Sequence, residues 1–330
     1  MSLVSRLCAT TGAVVALAIC SAAAGAAVLT AVRPELDSTI TFPAAPATRA
    51  QLPSSRVRPN AEVTWGQADP RAVAAFRAYR LFGGLRSLGY RPPMEVHAGQ
   101  GYGLIGTASG TLGAYANHTI YNKLREPGDP LKNEVGWLYA PTFFGPGADC
   151  IEVTTVMQNE MPQIWAWDWC AATPNAYAIV EVNRTFEMNY VRRMPDKLPE
   201  YTVETVLGSD GVTWSMVLYN YRKKAWDVVY QTSGARNPTY NLGQTGWSFF
   251  ETYMTVFSTE ANANAKYNVS NICNPFPGPI AAEDISLSSD GQTFVPINSS
   301  DSYQAPVNNF YCSHLLFSYP QADEWMMSYT

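Results

Sequence analysis

The sequence predicts an all-β protein, a sandwich or jelly roll of antiparallel strands with a short N-terminal helix. Three observations carry that expectation. The stretch from Asp149 to Cys170 has β-branched residues at Ile151, Val153, Thr154, Thr155 and Val156, then Trp165, Trp167 and Trp169 at period two. Only an extended strand places residues of that spacing on one face. Gly208-Ser-Asp-Gly211 joins two alternating runs, 201–207 and 212–219, as a hairpin turn does. From Gly101 onward, short β-branched and aromatic runs follow one another between turn residues, and no long helix alternates with them.

The chain has 330 residues, 47% of them hydrophobic and only 15% charged, which is enough to bury a core and suits a β-rich exported protein. Arg6 precedes an apolar run over 7–32 with small residues at Ala22–Ala24 and Gly25–Ala26. This predicts a secretory signal peptide over 1–27; the alternative is a retained anchor, since the run is long enough to span a bilayer. Residues 28–95 form a linker or basic pro-segment. Up to about residue 60 this segment is rich in Pro, Ala, Ser and Arg without periodicity. Then Asp69 as N-cap and Pro70 in the first turn predict a helix over 71–81, with Ala72, Phe76 and Tyr79 on one side.

Charge divides the chain. Residues 33–95 carry nine Arg against five acids, whereas 96–330 carry 12 bases against 22 acids. A basic leader is expected to dock on an acidic body, and such a body is a poor partner for nucleic acid. Residues 96–330 are expected to form the sandwich, acting as a monomer outside the cell and free of the membrane once the signal peptide is cleaved.

Within that body, the Gly-rich stretch 101–113 reads as a loop or an early strand pair. A strand over 135–141 leads to the turn Gly145-Pro-Gly147, and the central hairpin turns at Asn159-Glu160-Met161. Strands follow over 177–183, 201–207, 212–219, 225–232 and 246–257, then short ones near Ile285 and Phe294 and a final pair over 310–318 and 325–329.

Of six cysteines, Cys8 and Cys20 lie in the leader; of three possible pairings of the rest, Cys150–Cys170 and Cys273–Cys312 are the expected disulfides. Setting Cys150 opposite Cys170 gives Ile151/Trp169, Val153/Trp167 and Thr155/Trp165 as a core face. The other face then has Glu152/Asp168, Thr154/Ala166 and Val156/Ile164, with Gln158 near the turn. Two opposed carboxylates, with Cβ atoms roughly 4.5–5.5 Å apart, are normally destabilising and so mark a candidate site. No metal or other cofactor is expected: no cysteines have finger-like spacing, and His97, His118 and His314 are scattered. Sequons at Asn117, Asn183, Asn268 and Asn298 predict glycans on surface loops.

The run from Gly246 places Trp247, Phe249, Glu251, Tyr253 and Thr255 on one strand face. A lone Glu among aromatics either reaches water at an edge or lines a cleft. The chain has no G-x-S-x-G elbow, no H-E-x-x-H and no phosphate-binding Gly loop. What it has in quantity is carboxylates beside Trp and Tyr. These suit acid/base hydrolysis in a cleft, or stacking on sugar rings.

At these residues the chain resembles the eqolisins, the glutamic peptidases with a concanavalin-like jelly-roll fold. Trp165-Ala-Trp-Asp-Trp169 is similar to the family's A-W-Y-E-W-Y strand, with Asp168 at its acidic position. The pair 201–207 and 212–219 is similar to its hairpin, and Trp247-Ser-Phe-Phe-Glu251 to its W-I-V-E strand, with one extra residue. The likeness spans about 136–257. It implies Glu251 as the general acid/base that activates water, and either Glu152 or Gln158 as the group that holds the attacked carbonyl. A Gln donates to an oxyanion, whereas a Glu there must be protonated, which implies work at low pH. Trp247 and Tyr253 would line the substrate cleft. A polysaccharide is the alternative substrate, with Trp165, Trp167 or Trp247 stacking on sugars and Glu152, Asp168 and Glu251 binding or cleaving; a silent extracellular interaction domain is the third reading.

Overall fold

The structure, a computed structural model, describes residues 63–68, 70, 73, 76, 95–121, 134–157, 162–195, 197–236, 245–256, 278–304 and 315–329. Within them, only the backbone is described for 95–99, 134–138, 157, 250–256, 315 and 329. Gln158, Asn268, Cys273, Cys312 and His314 lie outside the described residues, as do the side chains of His97, Glu251 and Tyr253.

The strands in chain order are β1 (Glu95–Leu104), β2 (Gly113–Thr119), β3 (Glu134–Phe144), β4 (Ile151–Met157), β5 (Gln163–Asp168), β6 (Asn175–Glu181), β7 (Val191–Arg192), β8 (Glu200–Leu207), β9 (Thr213–Asn220), β10 (Ala225–Ser233), β11 (Gly246–Val256), β12 (Ile280–Ser288), β13 (Val295–Pro296), β14 (Ser302–Gln304), β15 (Leu315–Gln321) and β16 (Glu324–Tyr329). One antiparallel sheet runs β14-β1-β11-β3-β4-β5-β6; the second runs β10-β9-β8-β2-β12-β16-β15, with β7 on β8 and β13 on β12. The expected all-β sandwich is the observed fold. The Gly-rich stretch proves to be the end of β1 and the loop before β2, and these strands belong to different sheets.

Alternation fills the space between the sheets. Ile151, Val153, Ile164 and Ala166 of the first sheet pack with Val203, Trp214, Met216 and Leu218 of the second, all fully or almost fully buried. A second inner cluster joins Phe143 and Leu104 to Ile280, Ile285, Trp325 and Met327. Trp325 Nε1 donates across the gap to Ser248 Oγ at 2.9 Å. Apolar side chains meeting from two sheets at this density are the main source of stability in such a fold.

The Cys150–Cys170 disulfide forms as expected, with Cα atoms 5.3 Å apart. The register drawn from it is off by one. Ile151 pairs with Asp168, Glu152 with Trp167, Val153 with Ala166 and Thr154 with Trp165. The physical reason lies at Asp168. Its Oδ1 accepts from the N–H of Cys170 (2.7 Å) and of Ala171 (3.0 Å), a side-chain turn that bends the chain out of β5 before the cysteine. The disulfide therefore sits beyond the ladder, and a one-residue slip exchanges the faces. Trp165 and Trp167 share a face with Glu152, not with Ile151 and Val153.

Two further differences are local. A helix, α1 (Arg184–Tyr190), interrupts the strands: Asn183, one of the sequon residues, caps it by accepting from Phe186 N–H at 3.1 Å. Asn117 is buried within β2, where its side chain accepts from Tyr115 and Thr202 and donates to Asp284, so it lies on no surface loop. Of the predicted N-terminal helix, Pro70, Val73 and Phe76 are described, and they are helical.

Candidate active-site face

The face of the first sheet turned away from the second is built from three cross-strand rows. The first is Trp247, Phe144, Glu152, Trp167; the second Phe249, Thr142, Thr154, Trp165, Ile179; the third Glu251, Tyr139, Val156, Gln163, Glu181. Thr142 and Tyr139 occupy adjacent rows because β3 carries one extra residue at Ala140-Pro141, against both β4 and β11. Proline has no N–H to give a ladder, and a bulge is where a strand absorbs it.

Aromatic rings dominate this face. Phe144 lies 4.6 Å from Trp247 between ring centroids, Trp167 lies 5.9 Å from Trp169, and Trp247 and Phe249 are parallel at 6.4 Å. Glu152 is completely buried among them. Its two carboxylate oxygens accept from Trp169 Nε1 and Trp247 Nε1, each at 3.0 Å. Arg236 lies in the same electrostatic neighbourhood, its guanidinium pulled down to about 10 by burial although Asp149 and Glu152 act to raise it. It spans Phe144 at 4.1 Å and donates to the carbonyls of Asp149 and Gly145.

The predicted acids are thus separated. Asp168 faces the second sheet, where its Oδ2 accepts from Tyr230 (2.8 Å) and Thr232 (2.6 Å) of β10. Glu152 lies on the opposite face, and Glu251 lies on β11 in a register that puts its position two rows and two strands from Glu152. Ladder spacing makes that about 16 Å between Cα atoms. Trp247 is on the aromatic face as expected, and Tyr253 continues the same alternation in the backbone. Among the described residues, no group of three or more His, Cys, Asp or Glu is placed to hold a metal ion.

Sequence reasoning missed Tyr139, Thr142, Thr154 and Phe144, which complete the rows. Their parity is visible, but which strands adjoin is not.

The N-terminal segment lies on this face. Trp65 bridges to Val180, Gly66 N–H donates to Ile179 O at 3.0 Å and Glu181 N–H to Thr64 O at 3.0 Å, so residues 64–66 extend the sheet beyond β6. Gln163 Nε2 donates to Gln67 O at 3.2 Å. The chain then crosses onto the aromatic face, where Phe76 is fully buried between Tyr139 (4.9 Å) and Trp167 (4.6 Å), with Trp165 at 6.4 Å.

No family model and no curated protein matches the chain. Among solved structures it is similar to scytalidoglutamic peptidase bound to a peptide-based transition-state analogue, at 12% identity and TM-score 0.36, over 72% of this chain and all of that one. It is also similar to SCP-B, an eqolisin in complex with the tripeptide Ala-Ile-His, at 13% and 0.37 over the same shares. A carbohydrate-binding module of the evolved Dit protein of Lactobacillus casei BL23 phage J-1 matches at 7% and 0.20, over 48% of this chain and 60% of that one.

Proposed function

We propose that this is an exported hydrolase of polypeptides, of the glutamic-peptidase type, in which Glu251 activates water. The observation that carries the polypeptide part is the chain's own N-terminal segment. It is held by backbone hydrogen bonds at the edge of β6 and by a buried phenylalanine on the aromatic face. A sheet edge that pairs with residues 64–66, as β6 does, is one that takes up extended chain.

Glu251 is the acid left for chemistry. Glu152 is committed to two indole N–H groups, and Asp168 to two hydroxyls and two amides on the other face. In this reading Glu251 takes a proton from water, the oxygen attacks the peptide carbonyl, and the proton passes to the departing amine. Gln158 is the donor that the family resemblance supplies for the oxyanion. The test is Glu251→Gln in the leader-free protein, with a denatured protein as substrate at about pH 3–5. The expected loss is about a thousandfold, and unchanged turnover would reject the role.

A second reading is a polypeptide-binding domain without catalysis. It is favoured by Val156, an aliphatic residue on β4 in the row of Glu251, where an amide would serve better. Binding of the same substrate without cleavage would select it.

A further inference from the structure

The aromatic face contains three buried polar atoms that no described residue satisfies. Thr142 Oγ1, Thr154 Oγ1 and Trp167 Nε1 have no hydrogen-bond partner among the described residues. All three side chains are fully excluded from solvent, and Thr142 and Thr154 are direct cross-strand partners in the middle row. Most buried hydroxyls in folded proteins are paired, because burying one unpaired forfeits its hydration with nothing in return. Two adjacent orphans therefore need a reason. In the register, Thr142 is also the diagonal neighbour of the Glu251 position, at a separation of about 7–8 Å between Cα atoms.

Phe76 packs on the aromatic neighbours of this pair, Tyr139 and Trp165. Its ring meets Tyr139 and Trp167 tilted by 53° and Trp165 edge-on at 71°, arrangements favoured by aromatic quadrupoles. Val73 and Ala68 pack beside it. The described residues of the leader thus supply the ring and the backbone at the β6 edge, and none of them bonds the two hydroxyls.

We propose that residues 63–68, with Pro70, Val73 and Phe76, occupy the place of a polypeptide ligand that carries an aromatic side chain in the Phe76 pocket and accepts hydrogen bonds from Thr142 and Thr154 through a backbone carbonyl. This rests on the polypeptide reading of the face and names what that face selects. The pocket of Tyr139, Trp165 and Trp167 reads the side chain, and the hydroxyl pair positions a carbonyl beside Glu251. The leader satisfies the first half alone, which makes it a displaceable occupant.

The test uses the full chain with Phe76→Ala, its fold checked by circular dichroism, and follows indole fluorescence. Two blocked pentapeptides are added, one with a central Phe and one with Ala throughout. The Phe peptide is expected to bind about 10- to 100-fold more tightly than the Ala peptide, the worth of burying one phenyl ring. It should bind the unsubstituted protein far more weakly. Equal binding of both peptides would overturn the pocket.

Should Phe76→Ala not fold, Gly66→Pro serves instead, since it removes the N–H that holds the leader to Ile179 O and leaves the pocket intact. The same comparison then decides. For the carbonyl contact, Thr142→Val and Thr154→Val should raise the melting temperature of the otherwise unsubstituted protein by about 2–4 °C each, because an unpaired buried hydroxyl is removed. Placed in the leader-displaced protein, the same changes should weaken the Phe peptide about tenfold. A purely structural threonine gives the opposite sign in the melt, and that result would overturn the contact. Peptide bound but not cut leaves the pocket standing and sinks only the hydrolase reading. Cleavage without aromatic preference does the reverse.

Discussion

The two faces of the seven-stranded sheet are both buried, and they are buried by different means. The inner face is aliphatic, with Ile151, Val153, Ile164 and Ala166 against the second sheet. The outer face is aromatic and holds a carboxylate, with Phe144 and Glu152 beside Tyr139, Trp165 and Trp167, the three rings that Phe76 of the N-terminal segment packs against. Aliphatic side chains fit a permanent interface because they leave no polar atom to satisfy. Indoles and threonines on a face packed by Phe76 of the N-terminal segment and by Arg236 leave atoms in need of partners. The difference teaches that burial alone does not identify a core: the outer face keeps two adjacent threonine hydroxyls and an indole N–H without partners among the described residues.

Cavity-forming substitutions test whether the outer layer contributes to stability as the inner one does. Trp167→Ala is expected to cost about 3–5 kcal/mol and Ile164→Ala about 2–5 kcal/mol, both read from urea midpoints. A Trp167→Ala cost below about 1 kcal/mol would break the comparison, since the outer rings would then be surface. In a chain without residues 63–76, the Trp167→Ala cost should fall while that of Ile164→Ala holds.

Two buried carboxylates of this sheet, Glu152 and Asp168, sharpen the contrast at the level of single hydrogen bonds. Glu152 accepts from two indole N–H groups, whose hydrogens are fixed in the ring plane. Glu152→Gln presents an amide N–H to one of them, donor against donor, at a cost of about 3 kcal/mol. Asp168 accepts at Oδ2 from the hydroxyls of Tyr230 and Thr232, which rotate to become acceptors. Asp168→Asn is therefore expected to cost only about 1 kcal/mol. Equal losses in thermal melts would show that donor rigidity does not distinguish the faces.

The sandwich was legible in the sequence because period two and turn residues act locally. So was the Cys150–Cys170 bridge. The faces were not, because they hang on one residue of register, and register was set by the Asp168 carboxylate bending the chain at Trp169. Helix α1 was hidden in a run that Asn183 marked as a sequon and in fact caps. The site was half legible. Trp247, Glu251 and the tryptophan strand announce themselves by spacing, while Thr142, Thr154 and Tyr139 acquire meaning only once β3 is known to lie between β4 and β11. Strand order is set by long-range packing, which no local pattern records.

A buried imidazole of the second sheet also lies between the sheets, and it ties the stability of that interface to pH. His118 of β2 is fully buried; Nδ1 lies 3.1 Å from Tyr201 Oη, which in turn meets Thr155 of β4 at 2.8 Å, while Nε2 has no partner among the described residues. Burial lowers its pKa from 6.5 to about 3. Below the unfolded value of 6.5 the unfolded chain therefore takes up a proton that the folded chain refuses. The stability that goes with a neutral His118 is complete above that value and is lost as pH falls toward about 3. Between pH 7 and pH 5 the expected loss is about 2 kcal/mol. His118→Gln, which keeps a hydrogen-bonding group toward Tyr201, should remove that part of the slope, as read from urea midpoints at the two pH values. An unchanged slope would show that the imidazole becomes charged inside the fold. A protein that acts in acid with His118 in place must hold its sheets together by the rest of that interface, so the variant should gain most at the pH where cleavage is assayed.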